Sequence, residues 1–520
     1  MLSEEILVMK GITKIYPNGI TANKDVNFSV RQGEIHALMG ENGAGKSTLM
    51  NILFGSQTPE EGEIFLNGQK ITISNPMEAI GHGIGMVHQH FMLVPSLTVA
   101  ENIFLGMEPR RHGFIDKEGA VKQTVDLAKK YNFDVDPMAK IADIPVGMKQ
   151  KVEILKALAR GAKILILDEP TAVLTPQETG ELFHELELFK ENGHTIIFIS
   201  HKLKEIKQIC DRITIMKNGR SVGVYDVADM EETDISRLMV GRDVVTKIDK
   251  KKAEPGKKLL EVRNLVCVSD EGKSVLKNVN LSVRQGEIVG VAGVEGNGQL
   301  ELVESITGMR KTADGEILFY GKAVNALSIK KIRALGLSHI PEDRMSFGIA
   351  GEGSIQENLV SDKLSSPAFN RGPLLRGREI KEFAQKLVRD FLIKCDSPNQ
   401  LVSMLSGGNM QKVVVAREFS SEPQVMVANQ PSRGVDVGAT EFIHKKILEI
   451  RDKGAGVLLV SADLNEVLEL SDSLLVFYNG EVVAYIENTD EITEEELGYY
   501  MLGLKRQSAE DVKERVLHDK

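Results

Sequence analysis

One ten-residue segment occurs twice in this chain, and no other feature constrains the fold so strongly. VNFSVRQGEI at 26–35 recurs as VNLSVRQGEI at 279–288, with nine of ten residues identical at an offset of 253. The same offset carries Gly40 onto Gly293, and an offset of 261 applies further along the chain. The sequence therefore predicts a tandem repeat of one domain, with about eight residues inserted in the second copy between 342 and 408.

Domain boundaries follow from the repeat and from a break in the apolar pattern. The segment DVVTKIDKKKAEPGKK combines a run of charges with Pro and Gly, which is typical of a linker. In a chain of 520 residues we expect a first domain at 1–242, a linker at 243–258, a second domain at 259–505 and a charged helical tail at 506–520. We expect the tail to be a solvated terminus.

Each copy alternates short β-rich runs with helical stretches. IHALM, KILILDE and TIIFIS are such runs in the first copy. This alternation is typical of a mostly parallel sheet with crossover helices, so the fold class is α/β. Residues from about 95 to 160 are rich in Ala, Lys, Glu and Leu at helical spacing, which predicts a helical insertion between strands.

Charge and hydropathy exclude several classes of protein. The net charge of −10 gives no bulk electrostatic reason to bind nucleic acid. No window approaches the ~20 apolar residues of a membrane span, and the first residues, MLSEEILVMK, are unlike a signal peptide. We therefore expect a cytosolic chain. Its three cysteines, Cys210, Cys267 and Cys395, are expected to be small core residues.

A phosphate-binding loop follows the strand IHALM and precedes the helix TLMNILF. Its residues are Gly40, Glu41, Asn42, Gly43, Ala44, Gly45, Lys46, Ser47 and Thr48. Glycines let successive backbone N–H groups face a phosphate, and the start of the helix adds its dipole. Lys46 brings a positive charge to the phosphate oxygens, and the Ser47 hydroxyl can ligate Mg²⁺. We therefore predict nucleotide binding in the first copy.

Two further strands of the first copy end in polar residues. ILILDEPT at 164–171 ends in Asp168, which can hold Mg²⁺ through water, and Glu169, which can orient or deprotonate the attacking water. IIFISHKLKE at 196–205 carries His201, a candidate contact of the terminal phosphate. The order of these motifs favours a functional role for all three side chains.

At this point the chain resembles the ATP-binding cassette (ABC) ATPases, over nearly its whole length. The motifs that carry the resemblance are the aromatic Tyr16, the loop at 40–48, Gln89, a signature segment near 144–150, the LDEP at 167–170 and His201. The resemblance implies two P-loop domains in tandem, each with a RecA-like core and a helical subdomain. It also implies that Tyr16 contacts the adenine of ATP, and that Gln89 ligates Mg²⁺ in a loop facing a membrane subunit.

The second copy departs from this pattern at its chemical positions. Gln299 replaces the lysine and Leu300 the metal-binding hydroxyl, while Asn429 and Gln430 replace the two acids. A neutral amide forfeits a charge-assisted contact worth roughly 1.5–3 kcal/mol, and leucine cannot ligate a metal. We therefore expect that this copy does not hydrolyse ATP by itself. The second copy also has Ser269 at the position of Tyr16 and Ala462 at the position of His201.

The signature segments show the opposite distribution. The second copy keeps an LSGGQ-type segment, whose polar members are Ser406, Gly407, Gly408 and Asn409. The first copy has Pro145 and Val146 there, which remove the hydroxyl and crowd a phosphate. In the family two cassettes pack head to tail, so each ATP lies between one loop and the other signature. All losses would then fall on one composite site, which leaves the other intact.

The fold alone does not identify the process that the ATPase powers. Tandem cassettes also occur in translation factors and DNA repair, but the linker is short, one site is degenerate, and zinc clusters and long heptad runs are absent. With IPEDR at 340–344 and PSRGVDVGA at 431–439, the chain is similar to fused ATPases of bacterial sugar and nucleoside importers. Asn429 and Gln430 favour the nucleoside branch over ribose or galactose importers.

That resemblance implies partners and a location. An ATPase of this kind docks on two transmembrane permease subunits through the surface around Gln89 and Glu342. An extracytoplasmic binding protein delivers the solute to the complex. The expected cofactors are ATP and Mg²⁺, and the expected location is the cytoplasmic face of the cell membrane.

Overall fold

The computed structural model describes residues 5–17, 19, 21–41, 43–89, 91–200, 202–240, 250–269, 272–372 and 374–518. The chain divides into two compact units, Met1–Val245 and Thr246–Lys520, each containing one copy of the repeat. Residues 243–249 of the expected linker lie outside the described part. Along that described part, no helix is both long and apolar enough to cross a membrane.

The first unit alternates strands and helices as the sequence predicts. Its strands are β1 (Glu5–Ile15), β2 (Thr21–Arg31), β3 (Ile35–Gly40), β4 (Glu61–Leu66), β5 (Gln69–Ile71), β6 (Ile84–Val87), β7 (Arg110–Arg111), β8 (Phe114–Ile115), β9 (Ile164–Asp168), β10 (Thr195–Ile199), β11 (Arg212–Lys217) and β12 (Arg220–Asp226). Its helices are α1 (Lys46–Leu53), α2 (Pro76–Gly81), α3 (Val99–Ile103), α4 (Lys117–Lys130), α5 (Val146–Ala159), α6 (Pro176–Glu191), α7 (Leu203–Ile209) and α8 (Glu232–Val240).

A six-stranded sheet forms the centre of this unit, in the order β12-β11-β3-β10-β9-β6. All neighbours pair in parallel except β12, which is antiparallel to β11. Every residue of β3 and of β10 is buried, as expected for strands covered on both faces. A second, antiparallel sheet has the order β2-β1-β4-β5. Helices α3 to α5 lie between β6 and β9 in the chain, which confirms the predicted helical insertion.

The second unit repeats this architecture. Its strands are β13 (Lys258–Val268), β14 (Ser274–Arg284), β15 (Ile288–Ala292), β16 (Asp314–Phe319), β17 (Lys322–Ala323), β18 (Leu337–Ile340), β19 (Asn370–Arg371), β20 (Leu374–Leu375), β21 (Val425–Asn429), β22 (Gly456–Val460), β23 (Ser473–Tyr478) and β24 (Glu481–Ile486). Its helices are α9 (Gln299–Thr307), α10 (Ile329–Ala334), α11 (Ile355–Val360), α12 (Gly377–Asp390), α13 (Gly407–Phe419), α14 (Val437–Asp452), α15 (Leu464–Leu470), α16 (Glu494–Met501) and α17 (Ala509–Leu517).

The sheets of the second unit run β18-β21-β22-β15-β23-β24 and β14-β13-β16-β17, which is the same order as in the first. The predicted insertion is distributed over three places within the helical segment. Thr98 and Ser354 cap α3 and α11 with the same capping box at an offset of 256. The offset then grows before the hairpin of β19 and β20, and once more before the turn at Val402–Met404. Each change falls in a connection, where added residues disturb least.

The tail is helical, as predicted, but the expectation that it is solvated is wrong. Helix α17 packs against β14 and β24, and Val512 and Val516 are 4% and 3% exposed within the core of the second unit. Ser282 Oγ donates a hydrogen bond to the carbonyl of Val516 at 2.6 Å. The two valines lie four residues apart, which places them on one helix face. That apolar stripe outweighs the charged composition of the segment.

We predict that Val516→Ala exposes the tail to trypsin. Removing two buried carbons costs about 1.6 kcal/mol, which corresponds to about a tenfold larger undocked population and a tenfold faster cleavage after Lys513. Glu510→Ala, which changes an exposed side chain of the same helix, is the control and should stay within threefold of the parent. Equal cleavage of the Val516→Ala variant and the parent would contradict the docked helix.

Candidate functional site

A glycine-rich loop joins β3, which ends at Gly40, to α1, which begins at Lys46, at the carboxyl edge of the central sheet. Gly43 and Gly45 have φ angles of 83° and 97°, which favour glycine. A Cβ on Gly45 would lie 2.5 Å from the carbonyl oxygen of Ala22, and Asn23 Nδ2 donates to the Gly45 carbonyl at 3.1 Å. The glycine thus lets the loop run against β2. Sequence reasoning missed Asn23.

Lys46 is buried at the start of α1, only 7% exposed. Its Nζ donates to the carbonyl oxygens of Gly40 at 2.6 Å and Glu41 at 3.1 Å. Burial lowers the pKa of Lys46, while the charges of Glu169 and Asp168 oppose that shift. The ammonium is therefore held inside the loop, close to two carboxylates.

The other described residues of the loop differ in their exposure. Ser47 is exposed and Thr48 is half-buried. Ala44 is buried in the core beneath the loop. Asn42 lies outside the described residues.

Asp168 ends β9, and Glu169 follows it at the same edge of the sheet. Burial raises the pKa of Asp168 to about 6, helped by the charge of Glu169 and opposed by that of Lys46. Gln89 Nε2 donates to Glu169 Oε2 at 3.0 Å. The fold therefore brings together four residues that the sequence selected at separate positions: Lys46, Gln89, Asp168 and Glu169.

The backbone of Glu169 is unusual for a residue with a side chain. Its φ is 49°, and its N–H donates to the Ile199 carbonyl of β10 at 2.9 Å. Gln430 in the second copy has a φ of 51°, and its N–H donates to the carbonyl of Val460 at 2.7 Å. Both copies thus hold this position in the same turn, although only the first has a carboxylate there.

Tyr16 follows β1 and lies beside the phosphate loop. Its hydroxyl shares a hydrogen bond with Thr48 Oγ1 at 3.2 Å and another with the side-chain amide of Gln57. These bonds fix the ring next to α1. A contact of this ring with adenine stays a prediction.

A buried carboxylate supports the end of β10, and sequence reasoning missed it. Glu205 accepts hydrogen bonds from Thr171 Oγ1 at 2.7 Å and Ser200 Oγ at 2.8 Å, and its carboxylate lies 3.1 Å from Lys202 Nζ. The network ties the segment after Asp168 and Glu169 to the strand that precedes position 201. His201 itself lies outside the described residues. An acid in the first turn of a helix after a strand was the only available signal.

The second copy has a phosphate loop whose side chains bond to the loop itself. Gln299 Nε2 donates to the Val294 carbonyl at 3.1 Å, and Gln299 Oε1 accepts from the N–H of Asn297 at 3.0 Å. The neutral amide thus occupies one of the loop donors. Leu300 is 46% exposed, in the position of the exposed Ser47.

The second-copy signature begins α13. Ser406 is its N-cap and accepts from the N–H of Asn409 at 3.4 Å and from its Nδ2 at 2.9 Å. A Cβ on Gly408 would lie 2.8 Å from Asp436 Oδ2, so glycine permits this close packing. In the first copy Pro145 is the N-cap of α5 and provides no side-chain cap. The two helix starts therefore differ in the donors and acceptors that they present.

We predict that Gly45→Ala destabilises the first unit more than Gly43→Ala does. Both glycines have positive φ, which costs alanine roughly 1–2 kcal/mol, but only at Gly45 would Cβ also clash with backbone. A Cβ on Gly43 meets nothing within 4 Å, which makes it the matched control. Thermal unfolding without nucleotide should show the lower midpoint for Gly45→Ala. Equal midpoints would contradict this description of the loop.

The comparison with known proteins agrees with this arrangement. The family model described as ABC transporter matches residues 23–172 and again residues 276–433. A guanosine import ATP-binding protein of Bacillus subtilis is 45% identical over 97% of this chain and 99% of its own length. A glucose import ATP-binding protein of Haloferax volcanii is 43% identical, covering 97% and 96%. A nucleoside import ATP-binding protein of Lactococcus lactis is 42% identical, covering 97% and 99%.

These matches span both copies, and the two family segments contain the two phosphate loops. They confirm the α/β fold class and the resemblance that the motifs indicate. The chain belongs to the ABC transporter family and carries the domain of that family twice.

Proposed function

We propose that this chain is the ATP-hydrolysing, energy-coupling subunit of an ABC importer. The observation that carries the proposal is the gathering of Lys46, Gln89, Asp168 and Glu169 at one strand edge of the first unit. An ammonium, two carboxylates and an amide beside a glycine-rich turn are what phosphoryl transfer to water requires. In the second unit Gln299 replaces the ammonium, and Asn429 and Gln430 replace the two carboxylates.

In this proposal the loop at 40–48 and Lys46 bind the phosphates of ATP. Loop N–H groups and the start of α1 attract the anion, and Lys46 turns from the loop carbonyls to the phosphate oxygens. The bonds of Lys46 to Gly40 and Glu41 keep its charge in place until then. Tyr16 would stack on the adenine. ATP affinity therefore depends on the first unit.

The residues also fit Mg²⁺. Burial and the charge of Glu169 raise the pKa of Asp168, and a divalent cation beside it would oppose both effects. Mg²⁺ in nucleotide sites is usually held by one or two protein side chains together with phosphates and waters. We assign Ser47, Gln89 and Asp168, the last through water, as its protein contacts. When bound, the ion would neutralise charge on the phosphates.

Glu169 is the residue that we assign to the attacking water. Its carboxylate would accept a proton from the water as the water oxygen bonds to the terminal phosphorus. The bond from that phosphorus to the bridging oxygen breaks, and the bridging oxygen leaves with ADP, giving ADP and phosphate. The hydrogen bond from Gln89 orients that carboxylate. We assign His201 to the terminal phosphate from its place in the sequence motif.

We predict that Glu169→Gln lowers ATP turnover by on the order of 10² or more, while ATP binding is retained, because a positioned proton acceptor contributes about 10²–10⁴. Gln430→Ala changes the same backbone position of the second unit and should leave turnover within twofold of the parent. Steady-state hydrolysis and binding of a fluorescent ATP analogue measure the two effects. Hydrolysis by Glu169→Gln within twofold of the parent would refute the assignment.

We further propose that the two cassettes pair head to tail, so that the second-copy signature completes the working site. The support is the complementary pattern of losses: the intact loop and the intact signature belong to different copies. Ser406, Gly407, Gly408 and Asn409 would then contact the terminal phosphate bound at Lys46. Independent decay would be expected to damage both composite sites.

Ser406→Ala should therefore lower hydrolysis about 10- to 100-fold, because a hydrogen bond to a charged group contributes about 1.5–3 kcal/mol. Pro145→Ala is the matched control in the degenerate signature and should stay within twofold. Lys46→Ala should abolish hydrolysis altogether. If Pro145→Ala changes the rate strongly while Ser406→Ala does not, the pairing is wrong.

The cargo that we propose is a nucleoside. The relatives whose names specify guanosine and nucleoside import, together with Asn429 and Gln430, support this choice. The relative named for glucose import, at similar identity, supports a sugar as the second candidate. The chain would act at the cytoplasmic face of the membrane, bound to two permease subunits that receive solute from a binding protein.

The cargo is tested with the chain in membrane vesicles together with its permeases and binding protein. We expect guanosine, adenosine or uridine to raise ATP hydrolysis severalfold, and ribose, galactose or glucose to leave it unchanged. If the sugars raise hydrolysis and the nucleosides do not, the cargo is a sugar, and the assignment of the chain as an ATPase still stands. Without the permeases the chain should not sediment with the vesicles.

A further inference from the structure

The second unit carries charged residues close to its signature where the first unit has neutral ones. Aligned on the shared motifs, the exchanges from first to second copy are Asn42 to Glu295, Gln89 to Glu342, Phe91 to Arg344 and Ala172 to Arg433. The catalytic charges are lost in the same copy. The new charges therefore need a separate explanation.

The guanidinium of Arg344 lies between the signature and the segment after β21. Its Nη1 donates to the carbonyl of Arg433 at 2.8 Å, and its Nη2 lies 3.4 Å from the carbonyl oxygen of Gly434. Its Nε is buried and has no hydrogen-bond partner among the described residues. A planar fork of donors can bond two successive carbonyls at once, which an ammonium cannot do as well.

Gly407 provides the space for this guanidinium. A Cβ on Gly407 would lie 2.9 Å from Arg344 Nη2 and 3.3 Å from the carbonyl oxygen of Gly434. At the matching positions the first copy has Val146 and Phe91. A side chain at position 407 would therefore meet the guanidinium in its present position, and glycine leaves that space open.

The segment that Arg344 holds is also held through its own side chain. Arg433 forms an ion pair with Glu342, and its Nη1 lies 3.5 Å from Glu295 Oε1. Glu295 belongs to the second-copy phosphate loop, and Glu342 stands where Gln89 stands in the first copy. Arg344 and Arg433 thus link three loops of the second unit: the phosphate loop, the segment at 341–348 and the segment after β21.

We propose that Arg344 is a positioning residue for the second-copy signature, holding Ser406 and Gly407 in the orientation that the working site requires. The inference rests on the proposed function, in which this signature serves the ATP bound at Lys46. Arg344 would act through Gly407 and the carbonyls of residues 433 and 434. It would contribute to the rate of hydrolysis while leaving the binding of ATP to the first unit unchanged.

The test compares Arg344→Ala and Arg344→Lys in the full-length chain. We expect Arg344→Ala to lower kcat at least tenfold, with binding of a fluorescent ATP analogue within twofold of the parent. Arg344→Lys, which keeps the charge, should lower kcat at least threefold. Arg378→Ala is the control, because Arg378 is exposed and pairs with Glu382 within the same helix of the second unit. Hydrolysis by Arg344→Ala within twofold of this control would overturn the proposal.

A double-mutant cycle tests the contact itself. Gly407→Ala should lower kcat in the parent. The fold reduction that it causes should be at least threefold smaller in the Arg344→Ala background, because the clash with the guanidinium is then absent. Additive effects would overturn the contact. Lys46→Ala separates failure of the Arg344 proposal from failure of the proposed function. If Lys46→Ala abolishes hydrolysis while Arg344→Ala has no effect, only the proposed role of Arg344 fails. If Lys46→Ala still hydrolyses ATP, the proposed function fails.

Discussion

The charge balance between buried Lys46 and the carboxylates of Asp168 and Glu169 is the interaction on which the candidate site depends. Three strands of one parallel sheet make it possible, because β3, β10 and β9 pair in register and end at the same edge. The loop after β3 carries the ammonium, the end of β9 carries the acids, and β10 anchors the Glu169 backbone. Burial and the charge of Glu169 raise the pKa of Asp168 to about 6, and the charge of Lys46 opposes that shift.

The second unit has the same fold as the first but lacks the charged side chains of the candidate site. Its sheet has the same strand order, and Gln430 adopts the same backbone turn as Glu169, yet its phosphate loop holds a neutral amide bonded to the loop itself. The backbone arrangement therefore persists without the charges that hydrolysis needs. What this unit retains is the start of α13, supported by Arg344 and by the segment after β21.

Much of this was predictable from the sequence, because the decisive residues act locally. The repeat, the α/β class and the glycine-rich turn all depend on residues close together in the chain, and the helical insertion has its own period. The docking of α17 was missed since its partners, β14 and β24, are recognised only in the folded sheet. Glu205 and Arg344 were missed for the same reason: their roles come from carbonyls and hydroxyls that sequence spacing does not bring together.

The central claim is that one working site serves the whole chain, and the number of trapped nucleotides tests it most directly. ATP hydrolysis in the presence of Mg²⁺ and orthovanadate leaves ADP trapped at each site that completes the reaction. We expect at most one trapped ADP per chain, retained when Gln299 is changed to Ala and absent when Lys46 is changed to Ala. Two trapped ADP molecules per chain, or trapping that survives the loss of Lys46, would contradict it.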